Sequence, residues 1–164
     1  MSAQAIIINH DLWRKGAGGA PAGLSGMSDA SAYAGLDLNL AQFMASTFTG
    51  SSFSATSFRQ AGWTACHFSN CSFELCDLEG IAISGCTFTH CTFARSQFRG
   101  SRMSGTRFSQ CTWSDLNFDS AQWSSVDVLD CNGTGIDATD LQGERVDFTG
   151  SNFNDMSLTN ARIN

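Results

Sequence analysis

Large apolar residues recur at every fifth position over most of the chain. Between residues 38 and 163 this spacing defines 26 positions, and 23 of them hold a large apolar side chain. Chance does not keep one phase for so long, so the chain is built from an internal five-residue repeat. All thirteen phenylalanines share this phase: Phe43, Phe48, Phe53, Phe58, Phe68, Phe73, Phe88, Phe93, Phe98, Phe108, Phe118, Phe148 and Phe153.

A smaller residue, usually Ala, Ser, Thr or Cys, lies two places before each large one. We name these two places the small position and the large position. Residues two apart point to the same side of an extended segment, so both positions are predicted to face inward. Gly, Asn or Asp often ends the unit, as at Gly50, Asn70 and Gly80. These residues tolerate a positive φ, which predicts a tight turn every five residues.

Three units, CDLEG at 76–80, SQFRG at 96–100 and SNFND at 151–155, resemble the repeat of the pentapeptide-repeat family. That repeat is a small residue, a polar residue, Leu or Phe, and two variable residues, and the resemblance covers residues 36–164. It implies an all-β fold, a right-handed quadrilateral parallel β-helix. With about 20 residues per coil, the solenoid is expected to have about 6 to 7 coils.

Residues 1–35 carry no repeat, and the sequence predicts that they form a non-repeat N-terminal cap or leader before the repeat domain 36–164. The segment QAIIIN is expected to form a strand. A detachable targeting or partner-binding leader is the alternative. As a cap, the segment is expected to cover the first coil with apolar side chains: Ile6, Ile7, Ile8, Leu12 and Trp13.

The C-terminal end has no comparable cap, because the repeat phase continues through Leu158 and Ile163. Uncovered coils expose strand edges that promote aggregation. We therefore expect another molecule to cover Phe153, Leu158 and Ile163. The simplest candidate is a second copy stacked end to end, giving a homodimer.

One stretch departs from the pattern by exchanging volume between the two inward positions. The large position holds Gly133, Ala138 and Gly143, whereas the small position holds Ile136, Leu141 and Val146. Cys131 and Gly133 are both small, so a cavity, a bulge or a bent axis is expected at that corner.

The charge of the chain is uneven. The formal net charge is -6, but residues 115–164 hold two basic and nine acidic side chains, a net of -7. This balance argues against direct binding of nucleic acid, which needs clustered Lys and Arg. The acidic third is either a solvated surface or a docking site for a basic groove on a partner, and the candidate partner-binding residues are Asp119, Asp127, Asp130, Asp137, Asp140 and Asp147.

All seven cysteines occupy small positions, and residues 20 apart are predicted to stack. Cys71, Cys91, Cys111 and Cys131 should form one inner column, which does not converge on a tetrahedral metal site. We interpret them as small buried hydrophobes, with redox sensing or metal binding as alternatives. A surface metal site at His67 and His90 is a further alternative, whereas His10 has no evident partner. No catalytic or cofactor motif occurs, so the sequence predicts neither an enzyme nor a cofactor.

No apolar run approaches the ~20 residues of a membrane span, and no signal peptide is evident. We expect a bacterial cytoplasmic protein, with secretion lacking a signal peptide as an alternative. The family resemblance implies a non-enzymatic, rigid scaffold for protein–protein interaction, including an accessory or effector module of a secretion system. The alternative is a DNA mimic that inhibits or protects a type II topoisomerase such as gyrase, and a metal or redox protein is the third hypothesis.

Overall fold

The computed structural model describes all 164 residues, which form one helix followed by a solenoid of short parallel strands. The helix α1 spans Ala3–Arg14, and twenty strands follow: β1 Gly23–Ser25, β2 Ser28–Asp29, β3 Ala32–Ala34, β4 Gln42–Met44, β5 Thr47–Thr49, β6 Ser52–Ser54, β7 Gly62–Thr64, β8 His67–Ser69, β9 Ser72–Glu74, β10 Ala82–Ser84, β11 Thr87–Thr89, β12 Thr92–Gln97, β13 Arg102–Ser104, β14 Arg107–Ser109, β15 Thr112–Asn117, β16 Gln122–Leu129, β17 Asn132–Asp137, β18 Gln142–Asp147, β19 Asn152–Ser157 and β20 Arg162–Ile163.

The strands stack on four faces, and nearly every pair joins residues 20 apart, as Phe68 with Phe88. Face 1 carries β1, β4, β7, β10, β13, the start of β16, β18 and β20; face 2 carries β2, β5, β8, β11, β14 and the ends of β16 and β18. Face 3 carries the seven strands from β3 to β19, one for each coil. Face 4 consists of the bridges Asp37–Ser57–Asp77–Gln97 and the ends of β12, β15, β17 and β19. The predicted right-handed quadrilateral parallel β-helix is confirmed, with seven coils.

The large positions fill the interior with stacked rings. Along face 2, the centroids of Phe48, Phe68, Phe88 and Phe108 are each 4.7 Å from the next ring. This separation equals the ~4.8 Å spacing of neighbouring strands, so each coil places its ring on the one below. Forty buried apolar residues form one continuous core.

The turn at the end of each unit requires the left-handed backbone conformation. Gly50, Asn70 and Gly80 have φ of 68°, 54° and 70°. The predicted positive φ at these places is therefore confirmed. Ordinary residues adopt the same conformation elsewhere, including Ala45, Ala55 and Ala65 with φ of 48°, 48° and 53°.

The solenoid begins inside the predicted leader. Strands β1, β2 and β3 form coil 1, residues 22–40, and they pair with β4, β5 and β6. The pairing offset is 19 residues for Asp29 with Phe48 but 20 for Tyr33 with Phe53, so coil 1 lacks one residue. The expected boundary at residue 36 thus falls within coil 1, because this deletion shifts the phase.

Helix α1, and not a strand, covers coil 1, so the strand expected at QAIIIN is wrong. Ser2 caps the N-terminus of the helix, and its hydroxyl accepts a hydrogen bond from the Ala5 N–H at 3.1 Å. Ile7 is fully buried, whereas Ile8 and Trp13 remain 37% and 39% exposed. The helix therefore covers coil 1 with only some of the apolar side chains that were predicted to do so. No helix of the protein combines the length and apolar composition that crossing a membrane requires.

The corner at Cys131 and Gly133 is filled. A Cβ at Gly133 would lie 2.5 Å from the Trp113 carbonyl oxygen and 2.8 Å from the Phe153 ring. The two rings lean over the glycine, with their centroids 5.3 Å apart although two coils separate them. The cavity expected from two small residues is absent there because aromatic rings above and below take the space.

Candidate functional site

The structure separates the six candidate aspartates into two groups. Asp127, Asp130 and Asp147 lie on face 2 and its following turn, whereas Asp119, Asp137 and Asp140 lie on face 4 and its following turn. Faces 2 and 4 are opposite sides of the four-sided coil. Any partner that contacts all six must therefore reach around the rod.

The face 2 group is partly neutralised. Asp127 forms an ion pair with Arg107 at 3.2 Å, from the Arg107 Nη2 to the Asp127 Oδ2. Asp147 is next to Asp127 in the adjacent coil, and its carboxylate accepts hydrogen bonds from the Thr149 hydroxyl and N–H. These two donors hold the pKa of Asp147 below its ordinary value, so the group is charged at neutral pH.

In the face 4 group, turn residues also donate hydrogen bonds to the aspartate carboxylates. The Asp137 carboxylate accepts hydrogen bonds from the Thr139 hydroxyl at 2.6 Å and the Thr139 N–H at 3.0 Å. Together with the more distant Arg99, they lower the pKa of Asp137. Asp119 accepts a hydrogen bond from the Ser120 hydroxyl at 3.0 Å, and none of the three aspartates forms an ion pair.

The C-terminal coil is open. Leu158 is 50% exposed, and Phe153 and Ile163 are only half-buried, although all three occupy large positions. Phe153 packs inward against Trp113 and Phe148, and Ile163 lies near Gly143. The three residues predicted for an end-to-end contact thus share one uncovered apolar end.

The N-terminal end is closed with the help of two buried polar residues of α1, His10 and Asp11. His10 is 1% exposed; its Nδ1 accepts from the Ala22 N–H at 2.8 Å, so the Nε2–H donates to the Asn39 carbonyl at 2.7 Å. The expectation that His10 lacks a partner is wrong. No sequence signal marks this contact, because both partners are main-chain groups of coil 1.

Asp11 adds a charged contact beside His10. Its carboxylate accepts the Asp37 N–H at 2.7 Å and pairs with Lys15 at 2.8 Å. Burial by itself raises the pKa of Asp11, but the Asp37 hydrogen bond and the Lys15 charge outweigh burial and place the pKa below its ordinary value. The cap is therefore attached by a polar contact as well as by Ile7.

The cysteine column is present, and all seven thiols are free and buried. The Cys71 thiol lies 3.3 Å from the Phe48 carbonyl oxygen and 3.4 Å from that of Ser69, within range of a weak S–H hydrogen bond. Burial raises the pKa of Cys76 to about 11, which keeps this thiol protonated at neutral pH. No group of three or more His, Cys, Asp or Glu side chains is placed to hold a metal ion.

Residues 66–164 match the family model described as a pentapeptide repeat region. Among solved structures, the chain is similar to a trypsin-treated variant of QnrB1, a plasmid-mediated fluoroquinolone resistance protein, with 16% identity over 85% of this chain and 91% of that chain and a TM-score of 0.48. It is also similar to HetL, a pentapeptide repeat protein involved in heterocyst differentiation regulation in the cyanobacterium Nostoc sp. strain PCC 7120, with 12% identity over 98% and 96% of the two chains and a TM-score of 0.48. No curated protein matches the sequence. Because the family model matches more than half of its length, the chain belongs to the pentapeptide-repeat family.

Proposed function

We propose that the protein is a rigid, non-catalytic scaffold that engages a protein partner, with two copies joined through their C-terminal coils. The uncovered last coil is the observation that carries this proposal. Leu158 is 50% exposed there, whereas α1 covers the opposite end. Proteins of this family are typically structural or interaction proteins.

The rigidity of the scaffold follows from its hydrogen bonding and its core. The chain forms 114 backbone–backbone hydrogen bonds, most of them between coils, around one apolar core. Each coil fixes the next, so the outward side chains keep their spacing along the rod. A partner that matches this spacing binds without a large cost in ordering the scaffold.

The test is a pull-down from bacterial lysate with the full chain at low and high salt. We expect a discrete protein partner at near-stoichiometric amounts. Loss of a basic partner at high salt would place its contact on the acidic third, and retention would place it on the apolar end. A chain that retains no partner and stays monomeric would contradict the proposal.

The second candidate is a DNA mimic that occupies the DNA-binding surface of a type II topoisomerase. Five of the six candidate aspartates, all but Asp127, lack an ion pair, so two opposite faces of the rod carry exposed negative charge. A gyrase supercoiling assay tests this candidate, with Asp137→Asn and Asp147→Asn expected to weaken inhibition. No inhibition at micromolar protein would contradict it. A role in a secretion system and a cytoplasmic location remain expectations from the sequence.

A further inference from the structure

Face 1 carries a groove of about 530 Å³ that runs from β10 to β20. The outward side chains of four successive coils form one edge: Arg102, Gln122, Gln142 and Arg162. Ser84, Ser104 and Ser124 form much of the other edge, and Glu144 is the one carboxylate in the lining. The edges are therefore rich in hydrogen-bond donors.

Most of the arginines that lack an ion pair lie at this groove. Arg14, Arg59, Arg95 and Arg107 each pair with an Asp or Glu side chain, whereas Arg99, Arg102, Arg145 and Arg162 pair with none. Arg102 and Arg162 line the groove, and Arg145 lies at its rim, with its Nη2 3.5 Å from the hydroxyl of the lining residue Ser124. A chain with a net charge of -6 thus leaves three of its four unpaired arginines at one groove.

We propose that this groove binds an extended acidic peptide segment of a partner protein. Arg102 and Arg162 are three coils apart, roughly 14 Å at ~4.8 Å per coil, and an extended peptide covers this distance in about four residues. Two carboxylates spaced by four residues can therefore meet both guanidinium groups. This proposal rests on the proposed function, because it names the chemistry of the partner and its binding surface.

The residues between the two arginines favour a peptide over other polyanions. Gln122 and Gln142 each offer a donor and an acceptor, which complements the N–H and C=O of a peptide backbone. Single-stranded nucleic acid binds proteins by stacking on exposed aromatic rings, but Trp123 beneath the groove is 3% exposed. A long polyanion also meets the negative field of the whole chain, whereas a short segment meets mainly the nearby arginines.

The probe is a fluorescent ten-residue peptide of Gly and Ser that contains two Glu residues four positions apart. Its anisotropy is measured with the full chain at low ionic strength. We expect the double variant Arg102→Gln/Arg162→Gln to bind about tenfold more weakly, since it loses two charge-assisted contacts. Glu144→Gln should bind about twofold more tightly because it removes the opposing charge.

Arg99→Gln is the matched control. Arg99 is exposed and unpaired, but it lies in the turn after face 4 and not at the groove on face 1. It should change binding by less than about twofold. Equal losses in Arg99→Gln and in the groove variant would overturn the proposal, as would absence of binding by the wild type. Tighter binding of an oligogalacturonate or an oligothymidylate, with the same dependence on Arg102 and Arg162, would also overturn it by showing another ligand class.

A pull-down with the same variants separates this inference from the proposed function. If the groove variant retains the partner as well as the wild type does, the groove is not the contact, whereas the proposed scaffold function is still supported. If the peptide binds as expected but no protein partner and no dimer are found, the proposed scaffold function is contradicted. Melting curves confirm that each variant is folded.

Discussion

At the corners of the solenoid, the backbone takes a conformation that most side chains disfavour. Eighteen residues other than glycine have a positive φ, among them Leu75 with φ of 54° and Arg95 with φ of 48°. A side chain costs about 1–2 kcal/mol in this region, whereas glycine costs almost nothing. The fold therefore carries strain that its glycine corners avoid.

Replacing alanine by glycine at strained corners should stabilise the protein. The triple variant Ala45→Gly/Ala55→Gly/Ala65→Gly removes the strain of a side chain at positive φ in three places. The free energy gained in the folded state exceeds the free energy lost to the higher chain entropy of the unfolded state. We expect the free energy of unfolding to rise by about 1.5 kcal/mol in urea titration. Ala82→Gly, in a regular strand, is the control and should lower it by about 0.5–1 kcal/mol. A loss in the triple variant would contradict this account.

Gly133 should tolerate no side chain, because its space is filled by neighbours. A Cβ would approach the Trp113 carbonyl oxygen, which belongs to a strand and cannot move aside. Gly133→Ala should destabilise by about 1–3 kcal/mol through overpacking. Gly23→Ala, where nothing lies within 4 Å of the added Cβ, should be near neutral in the same urea titration. Equal effects of the two changes would exclude overpacking as the cause.

Among the elements, the β-helix could be predicted from the sequence but the N-terminal cap could not. Three consecutive isoleucines favour a strand by intrinsic propensity, yet the Ser2 cap and the burial of Ile7 against coil 1 stabilise a helix. Coil 1 could not be predicted from the repeat, because it lacks one residue and because Asp29, a charged residue, occupies an inward position. Three donors satisfy this carboxylate: the Tyr33 and Ser51 hydroxyls and the Ser31 N–H.

Acid should loosen the attachment of α1 to coil 1 through Asp11. Its folded pKa lies below the ordinary value of 3.8, so its contribution is complete at higher pH and is lost as the pH falls through the folded pKa. The NMR signal of the Asp37 N–H should shift with a midpoint below 3.8. Asp11→Asn should abolish that transition, whereas Asp37→Asn, which removes the carboxylate of residue 37 itself, should keep it. A midpoint at or above the ordinary value would contradict the proposed contact.

For the whole molecule, a spacing of 20 residues determines which side chains share a face, and the sequence contains this information. The same spacing divides the six candidate aspartates into two groups on opposite faces. It also puts Arg102 and Arg162 on the same edge of the groove, three coils apart. Which arginines are unpaired depends on side-chain distances, and only the structure supplies these.

The proposed stacking of C-terminal ends should be weak and should strengthen with salt. The end of a single coil is a small surface compared with the ~800 Å² that each partner buries in a standard specific interface, so we expect a micromolar dissociation constant. Stacking also brings together two acidic thirds, each with a net charge of -7 over residues 115–164, and salt screens their repulsion. Sedimentation equilibrium from low to high salt measures this dependence.

Leu158→Glu should abolish the dimer, because it adds a charge to the exposed apolar surface of the last coil. Met44→Glu is the matched control, since Met44 is also half exposed, at 51%, but lies on face 1 far from that end. The control should dimerise like the wild type. A wild-type chain that stays monomeric at high concentration and high salt would contradict the stacking. Dimers that weaken with salt would instead indicate a contact between opposite charges, such as the arginines of face 1 and the aspartates of another copy.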